Sequence, residues 1–285
     1  MSQFYDHVPY QPDYFPNGTP AGFELHVDIE YGSVGGRPLK LDIARINTGV
    51  KMPTLLHMFG GAWMSGDHHL RHWNRELILA GFCIVSVGYR LSHEAIFPVQ
   101  LEDCKTGMRW IRAHADEYNF DLDRIGAWGY SSGGHLAALM ATTAGAPGFS
   151  TEGGWAGFPD HAKAVVDYYG PTDFNCMPHM SDNPESPICR LVGGLISQRQ
   201  EIVAAANPIN YISDKTPPML ILHGEEDRAV TINQSELLYD ALKKAGRDVE
   251  FVRVKNAGHD FKGENIQPSW QEIENMVVRF FKKYL

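Results

Sequence analysis

The sequence predicts an α/β architecture: a mostly parallel central sheet flanked by helices, with lid or cap loops over one end. Three observations predict it. Short apolar, β-rich runs alternate with amphipathic stretches along the 285 residues. Two runs of alternating apolar and polar residues lead the chain around a Gly-Gly turn. A glycine-flanked serine stands where one apolar run passes into a helical stretch.

Residues 23–30 and 39–46 alternate apolar and polar side chains around Gly35-Gly36, which reads as an antiparallel hairpin at the sheet edge. Buried strands are expected at 54–59, 83–87, 125–128, 164–168, 219–222 and 249–254, each a short apolar run bounded by Gly, Pro or charge. Helical periodicity predicts helices over 69–80, 99–118, 133–143, 233–245 and 269–284. In the longest, Glu102, Lys105 and Arg109 form one face, while Trp110 and Ile111 lie on another. Ser269 and Glu272 have the spacing of a capping box. Two irregular segments, 145–160 and 171–215, interrupt the alternation. Long loops within a compact domain are usually functional, and these two are expected to wall or cover a substrate pocket at the ligand-binding end of the sheet. The whole chain reads as one domain.

With 44% hydrophobic and 21% charged residues, the composition is that of a globular protein. A formal net charge of −9 without a Lys/Arg stripe repels phosphate backbones, so nucleic acid is not an expected partner. The chain begins without a cationic flank and apolar run, and no stretch is long enough to span a bilayer, so the expected address is the cytoplasm, with no membrane association. Cys83, Cys104, Cys176 and Cys189 lack the paired spacing of zinc or redox sites; Cys83 reads as a core residue, and Cys176 and Cys189 as free thiols. His68 and His72 stand four apart with Glu76 one turn further, but a solvated helix face accounts for them, and neither a metal nor another cofactor is expected.

Gly129-Tyr130-Ser131-Ser132-Gly133 matches the G-x-S-x-G turn that holds a nucleophilic serine between a strand and a helix. A serine hydroxyl needs a base to take its proton, and the base needs a carboxylate to orient it. Both follow in chain order: Glu225, Glu226 and Asp227 leave the strand at 219–222, and His259 follows the next strand. The three acids compete for the orienting role, and Asp227, at the end of the turn, is preferred. An acyl-transfer intermediate also needs backbone N–H donors, from the residue after the serine and from a Gly-rich loop such as Phe59-Gly60-Gly61-Ala62-Trp63. Trp63, Tyr130 and Trp155 offer aromatic walls for substrate, and His179 and Met180 are further lining candidates. Arg90, Asp103 and Asp173 read as members of structural ion pairs.

These motifs, together with Gly88-Tyr89-Arg90-Leu91, Tyr169-Gly170-Pro171-Thr172-Asp173 and His223-Gly224, resemble one branch of the α/β-hydrolase superfamily. That branch holds the hormone-sensitive-lipase-like esterases and the bifunctional acetyl and feruloyl esterases, and the resemblance spans nearly the whole chain. It implies a triad of Ser131, Asp227 and His259, with oxyanion donors at Gly61, Ala62 and Ser132. The expected activity is hydrolysis of a small-molecule ester, short-chain acyl or aryl, through an acyl-enzyme. An amidase, arylformamidase or small peptidase would use the same groups, and the intact triad opposes a binding protein that has lost turnover. The sequence departs from the family pattern at Phe59, where a histidine is usual, at Gly88 (usually Asp) and at Thr231 (usually Pro).

Overall fold

A computed structural model of the chain describes residues 15, 18–70, 75–181 and 183–285. Eight strands run in chain order: β1 (Phe23–Val34), β2 (Arg37–Ile46), β3 (Met52–Met58), β4 (Cys83–Val87), β5 (Phe120–Tyr130), β6 (Val165–Tyr168), β7 (Met219–Gly224) and β8 (Val249–Val254). They form one sheet in the order β1-β2-β4-β3-β5-β6-β7-β8. β1 pairs antiparallel with β2, and β2 antiparallel with β4, while every later pairing is parallel. The expected hairpin is there, with Gly35 and Gly36 both at positive φ in its turn.

The inner strands are apolar on both faces, as parallel strands between two helical layers must be. Leu56, Val85, Met219 and Ile221 feed one core, and Leu55, Ile84, Leu220 and Leu222 feed the other. Helices α2 (Val99–Ala113), α4 (Ser132–Thr142) and α8 (Asn233–Lys244) cover the first through residues such as Met108, Leu136 and Leu238. Helices α1 (Arg75–Leu79) and α9 (Trp270–Tyr284) cover the second through Ile78, Ile273 and Phe281. α9 opens with the anticipated cap, the Ser269 N–H donating to Glu272 Oε2 at 2.8 Å. Within the stretch expected as a helix over 69–80, the described helix is Arg75–Leu79, and His72 lies outside the described residues.

One expectation needs correction: the helix expected over 99–118 divides at His114, whose Nδ1 bonds the Trp110 carbonyl at 2.9 Å, and a short α3 (Ala115–Tyr118) follows. Lys105 and Arg109 on the polar face of α2 are buried. Lys105 is 1% exposed and its Nζ lies 3.1 Å from Asp160, while Arg109 donates to the Gly154 carbonyl at 3.1 Å.

The partners of that face come from 145–160, which explains where this segment runs. It leaves the C-terminus of α4, an 11-residue helix that carries the chain roughly 16 Å from Ser131, and it returns into the start of β6. Along the way it packs on α2, the Ser150 N–H donating to Glu102 Oε1 in the first turn of that helix at 2.7 Å. Segment 171–215 leaves the carboxyl end of β6. It holds three short helices, α5 (Pro178–Ser181), α6 (Pro187–Val192) and α7 (Gln200–Ala205), that the irregular sequence concealed. Among the described residues, no helix is long and apolar enough to cross a membrane.

Candidate active site

The turn from β5 into α4 places Ser131 at φ 56°, ψ −122°, a conformation that L-residues rarely adopt. Its backbone is pinned on both sides: the Ser131 N–H donates to Tyr168 O at 2.8 Å, and its carbonyl accepts from the His135 N–H at 3.0 Å. The strain lifts the hydroxyl out of the helix and toward the turns that follow β7 and β8. There His259 Nε2 lies 3.0 Å from Ser131 Oγ, and His259 Nδ1 lies 2.7 Å from Asp227 Oδ2. Glu225 and Glu226, the competing acids, are exposed, whereas Asp227 is buried.

Asp227 is held from four directions. Oδ1 accepts the N–H groups of Ala229 and Val230, each at 2.9 Å. Oδ2 faces His259 and also His223 Nε2 at 3.3 Å. Burial alone would raise its pKa, but hydrogen bonds from His223 and His259 outweigh this and hold the carboxyl well below the usual range. Burial likewise works to lower the pKa of His259, yet the Asp227 carboxylate outweighs it and the imidazole is raised above its ordinary value. A base must be neutral to accept the serine proton. kcat/KM is therefore expected to rise with pH through an apparent pKa at or above about 6.5, then level off. A pH profile with a nitrophenyl ester checks this; a limb that starts well below that value would contradict the Asp227–His259 pairing.

The loop after β3 turns through three consecutive residues at positive φ: Gly61 (135°), Ala62 (56°) and Trp63 (56°). A side chain at position 61 would meet the Ser65 carbonyl at 2.0 Å, so only glycine allows the turn. Among the described residues, the backbone N–H groups of Gly61, Ala62 and Ser132 have no acceptor. Phe59 replaces a family histidine, and its ring stacks on Tyr89 (centroids 4.2 Å apart, planes 8° apart) while the Tyr89 hydroxyl donates to the Phe59 carbonyl at 2.8 Å. This clamp shapes the loop from the far side. The upstream His57 instead bonds Ser86 Oγ at 2.9 Å within the sheet.

The aromatic candidates separate. Tyr130 lies under the loop, its ring 2.7 Å from where a Cβ on Gly60 would sit. Trp63 is 2% exposed and packs edge-on against His135 and Phe174, so it supports the site from within the core rather than presenting an open wall. Trp155 does not join the site: it packs against His114 and donates to the Tyr31 carbonyl at 2.7 Å, in a groove between β1 and the 153–155 turn. Both partners are distant in sequence, so local pattern could not reveal them. His179, on α5, reaches the Ala229 carbonyl at 3.4 Å, beside the Asp227 turn. Met180 is partly buried against the core beneath. Arg90 and Asp103 form the anticipated ion pair at 2.7 Å, while Asp173 caps a turn by accepting the Asn175 N–H.

Three residues without an assigned role emerge. Tyr169, at φ 44°, sets its ring edge-on to His259 at 4.9 Å and packs on Phe261 at 5.0 Å, so it backs the base. His223 is fully buried and braced by Ser235 Oγ at 2.6 Å and the Val230 carbonyl at 2.8 Å. The signal for His223 was a polar residue ending an otherwise apolar strand. Asp167, buried in β6, accepts the Gly170 N–H at 2.9 Å and so fixes the turn after Tyr169; burial pushes its pKa up to about 6.

With this geometry in view, comparison with known proteins is specific. Residues 41–242 match the BD-FAE family. Esterase LipQ of Mycobacterium tuberculosis is 31% identical over 241 residues, which is 82% of this chain and 56% of LipQ. The chain thus spans a little over half the length of the curated relatives it matches. A solved truncated carbohydrate esterase from gut microbiota superposes with a TM-score of 0.80 at 28% identity, covering 93% of this chain and 98% of that one. Propionate-bound esterase 2 of Thermogutta terrifontis gives 0.73 at 26% identity, covering 92% and 94%. Strand order, nucleophile turn and family match agree that this chain belongs to the BD-FAE family and has the α/β-hydrolase fold.

Proposed function

We propose that the protein is a serine carboxylesterase acting on small esters, with Ser131 as nucleophile, His259 as general base and Asp227 as its orienting acid. One observation carries the reading: the unbroken relay from Ser131 Oγ to His259 Nε2 at 3.0 Å and from His259 Nδ1 to Asp227 at 2.7 Å. Ser131 attacks the ester carbonyl as His259 takes its proton, and the N–H groups of Ser132, Ala62 and Gly61 receive the oxyanion. His259 then protonates the leaving alcohol, an acyl-enzyme remains on Ser131, and water activated by the same imidazole releases the acid.

The names of the similar proteins support ester chemistry, among them LipQ and a probable carboxylic ester hydrolase, LipM. Solved complexes of the Thermogutta esterase with propionate and with butyrate favour a short acyl group here. We assign the cap role to 171–215, because it springs from the serine end of β6 and brings His179 beside the Asp227 turn. The test is a paired assay of nitrophenyl acetate, butyrate and palmitate with the matching anilides. Acetate and butyrate esters are expected to turn over fastest. Faster anilide cleavage would move the assignment to an amidase, and faster palmitate cleavage in the absence of micelles would overturn the short acyl group.

A further inference from the structure

A second cluster of chemically active side chains lies away from the triad, where the loop that continues past Ala62 meets the edge hairpin. Asp28, His68 and His69 each offer a ligand atom, and these atoms all lie within 4.8 Å of one another. His68 Nε2 is 3.3 Å from Asp28 Oδ1 and 3.5 Å from Asp42 Oδ1, while His69 Nδ1 is 3.0 Å from Asp42 Oδ2. We infer that Asp28, His68 and His69 bind a divalent transition-metal ion of the zinc type, with Asp42 as the carboxylate that orients His69.

The chemistry fits in two respects. Zinc bonds to imidazole nitrogen and carboxylate oxygen of about 2.1 Å place tetrahedral ligand atoms about 3.4 Å apart, close to the His68 spacings. The remaining contraction falls on Asp28 and His69, whose side chains are 47% and 42% exposed and free to adjust. Second, Asp42 is 1% exposed, its Oδ1 accepts the Asp28 N–H at 2.9 Å, and its Oδ2 lies 3.0 Å from His69 Nδ1. A buried carboxylate bonded to the second nitrogen of a ligating histidine is the usual outer support of such a site.

The backbone is also adapted. Asp28 sits at φ 56° in a register shift of β1 between His26 and Ile29, so a strained residue turns its carboxylate toward the loop. At present Lys40 Nζ neutralises Asp28 from 3.2 Å, but its side chain is 44% exposed and readily displaced. Five residues separate Ala62 from His68. A bound ion therefore fastens the loop carrying two of the oxyanion donors to the sheet edge, as a structural clasp.

The test titrates the metal-stripped full chain with zinc chloride by calorimetry and follows melting. One ion per chain and a raised melting temperature are expected. His68→Gln and His69→Gln should each weaken binding at least tenfold. Lys40→Gln, which removes the competing cation, should tighten it, and His259→Gln should leave it unchanged. If either histidine variant melts early without metal, Asp28→Asn, at an exposed carboxylate, gives the same reading. Absence of saturable binding, binding that survives the His68, His69 and Asp28 changes, or binding abolished by His259→Gln overturns the assignment.

Discussion

Ser131→Ala should lower kcat for ester hydrolysis on the order of a millionfold while leaving the melting temperature near that of the parent. The change deletes the one oxygen that forms the acyl-enzyme, and by precedent in serine hydrolases this costs as much as removing the whole triad. It leaves the turn intact, since the strained φ of 56° is held by backbone bonds to Tyr168 and His135 that alanine also makes. Neighbouring Ser132 offers no substitute, being 1% exposed at the start of α4. Turnover of a nitrophenyl ester and labelling by a fluorophosphonate probe both measure the effect. Labelling that persists in the variant would place the nucleophile elsewhere.

Asp227→Asn should cost about ten-thousandfold in kcat, and the structure supplies the reason. Two backbone N–H donors, from Ala229 and Val230, hold Oδ1, so the amide of the variant must keep its oxygen there. Its NH2 then occupies the place of Oδ2 and faces His259 Nδ1, which can only accept. His259 is left protonated at Nε2, toward Ser131, in the tautomer that cannot take the serine proton. The rising limb of the pH profile should also shift downward, because the carboxylate that raised the imidazole pKa is gone. Glu226→Gln, at an exposed position, should change kcat by less than about twofold; comparable damage there would undo the choice of acid.

How much of this was legible depended on whether the determining contacts were local. The six later strands could be read because their apolar runs feed the two cores, the two hairpin strands from their alternation, and the nucleophile turn because its glycines and serine are contiguous. The first half of β5 was missed: Asp121, Asp123 and Arg124 interrupt the apolar pattern where the strand extends beyond its buried centre. Choice among Glu225, Glu226 and Asp227 rested on position in a turn, and only the folded turn distinguishes the buried acid from the exposed pair. Trp155 was misplaced because its partners, Tyr31 and His114, are remote in sequence and no local pattern announces them. The same limit applied to the histidines. Helical spacing raised only His68 and His72, which a solvated face explained, while the folded edge joins His68 to Asp28, 40 residues earlier, and His69 to Asp42, 27 residues earlier.

The burial of Lys105 against Asp160 bears on how this scaffold can be diversified. An ammonium group so enclosed depends on its carboxylate, and breaking such a pair typically costs about 3–5 kcal/mol, a large share of a domain's stability. Segment 145–160 is therefore a strap across α2, and mutations gathered there draw on the stability margin of the fold. Segment 171–215, the proposed cap, carries no comparable buried charge among its described residues. Libraries seeking a new acyl or alcohol preference belong in the second segment, and the first is best left as inherited.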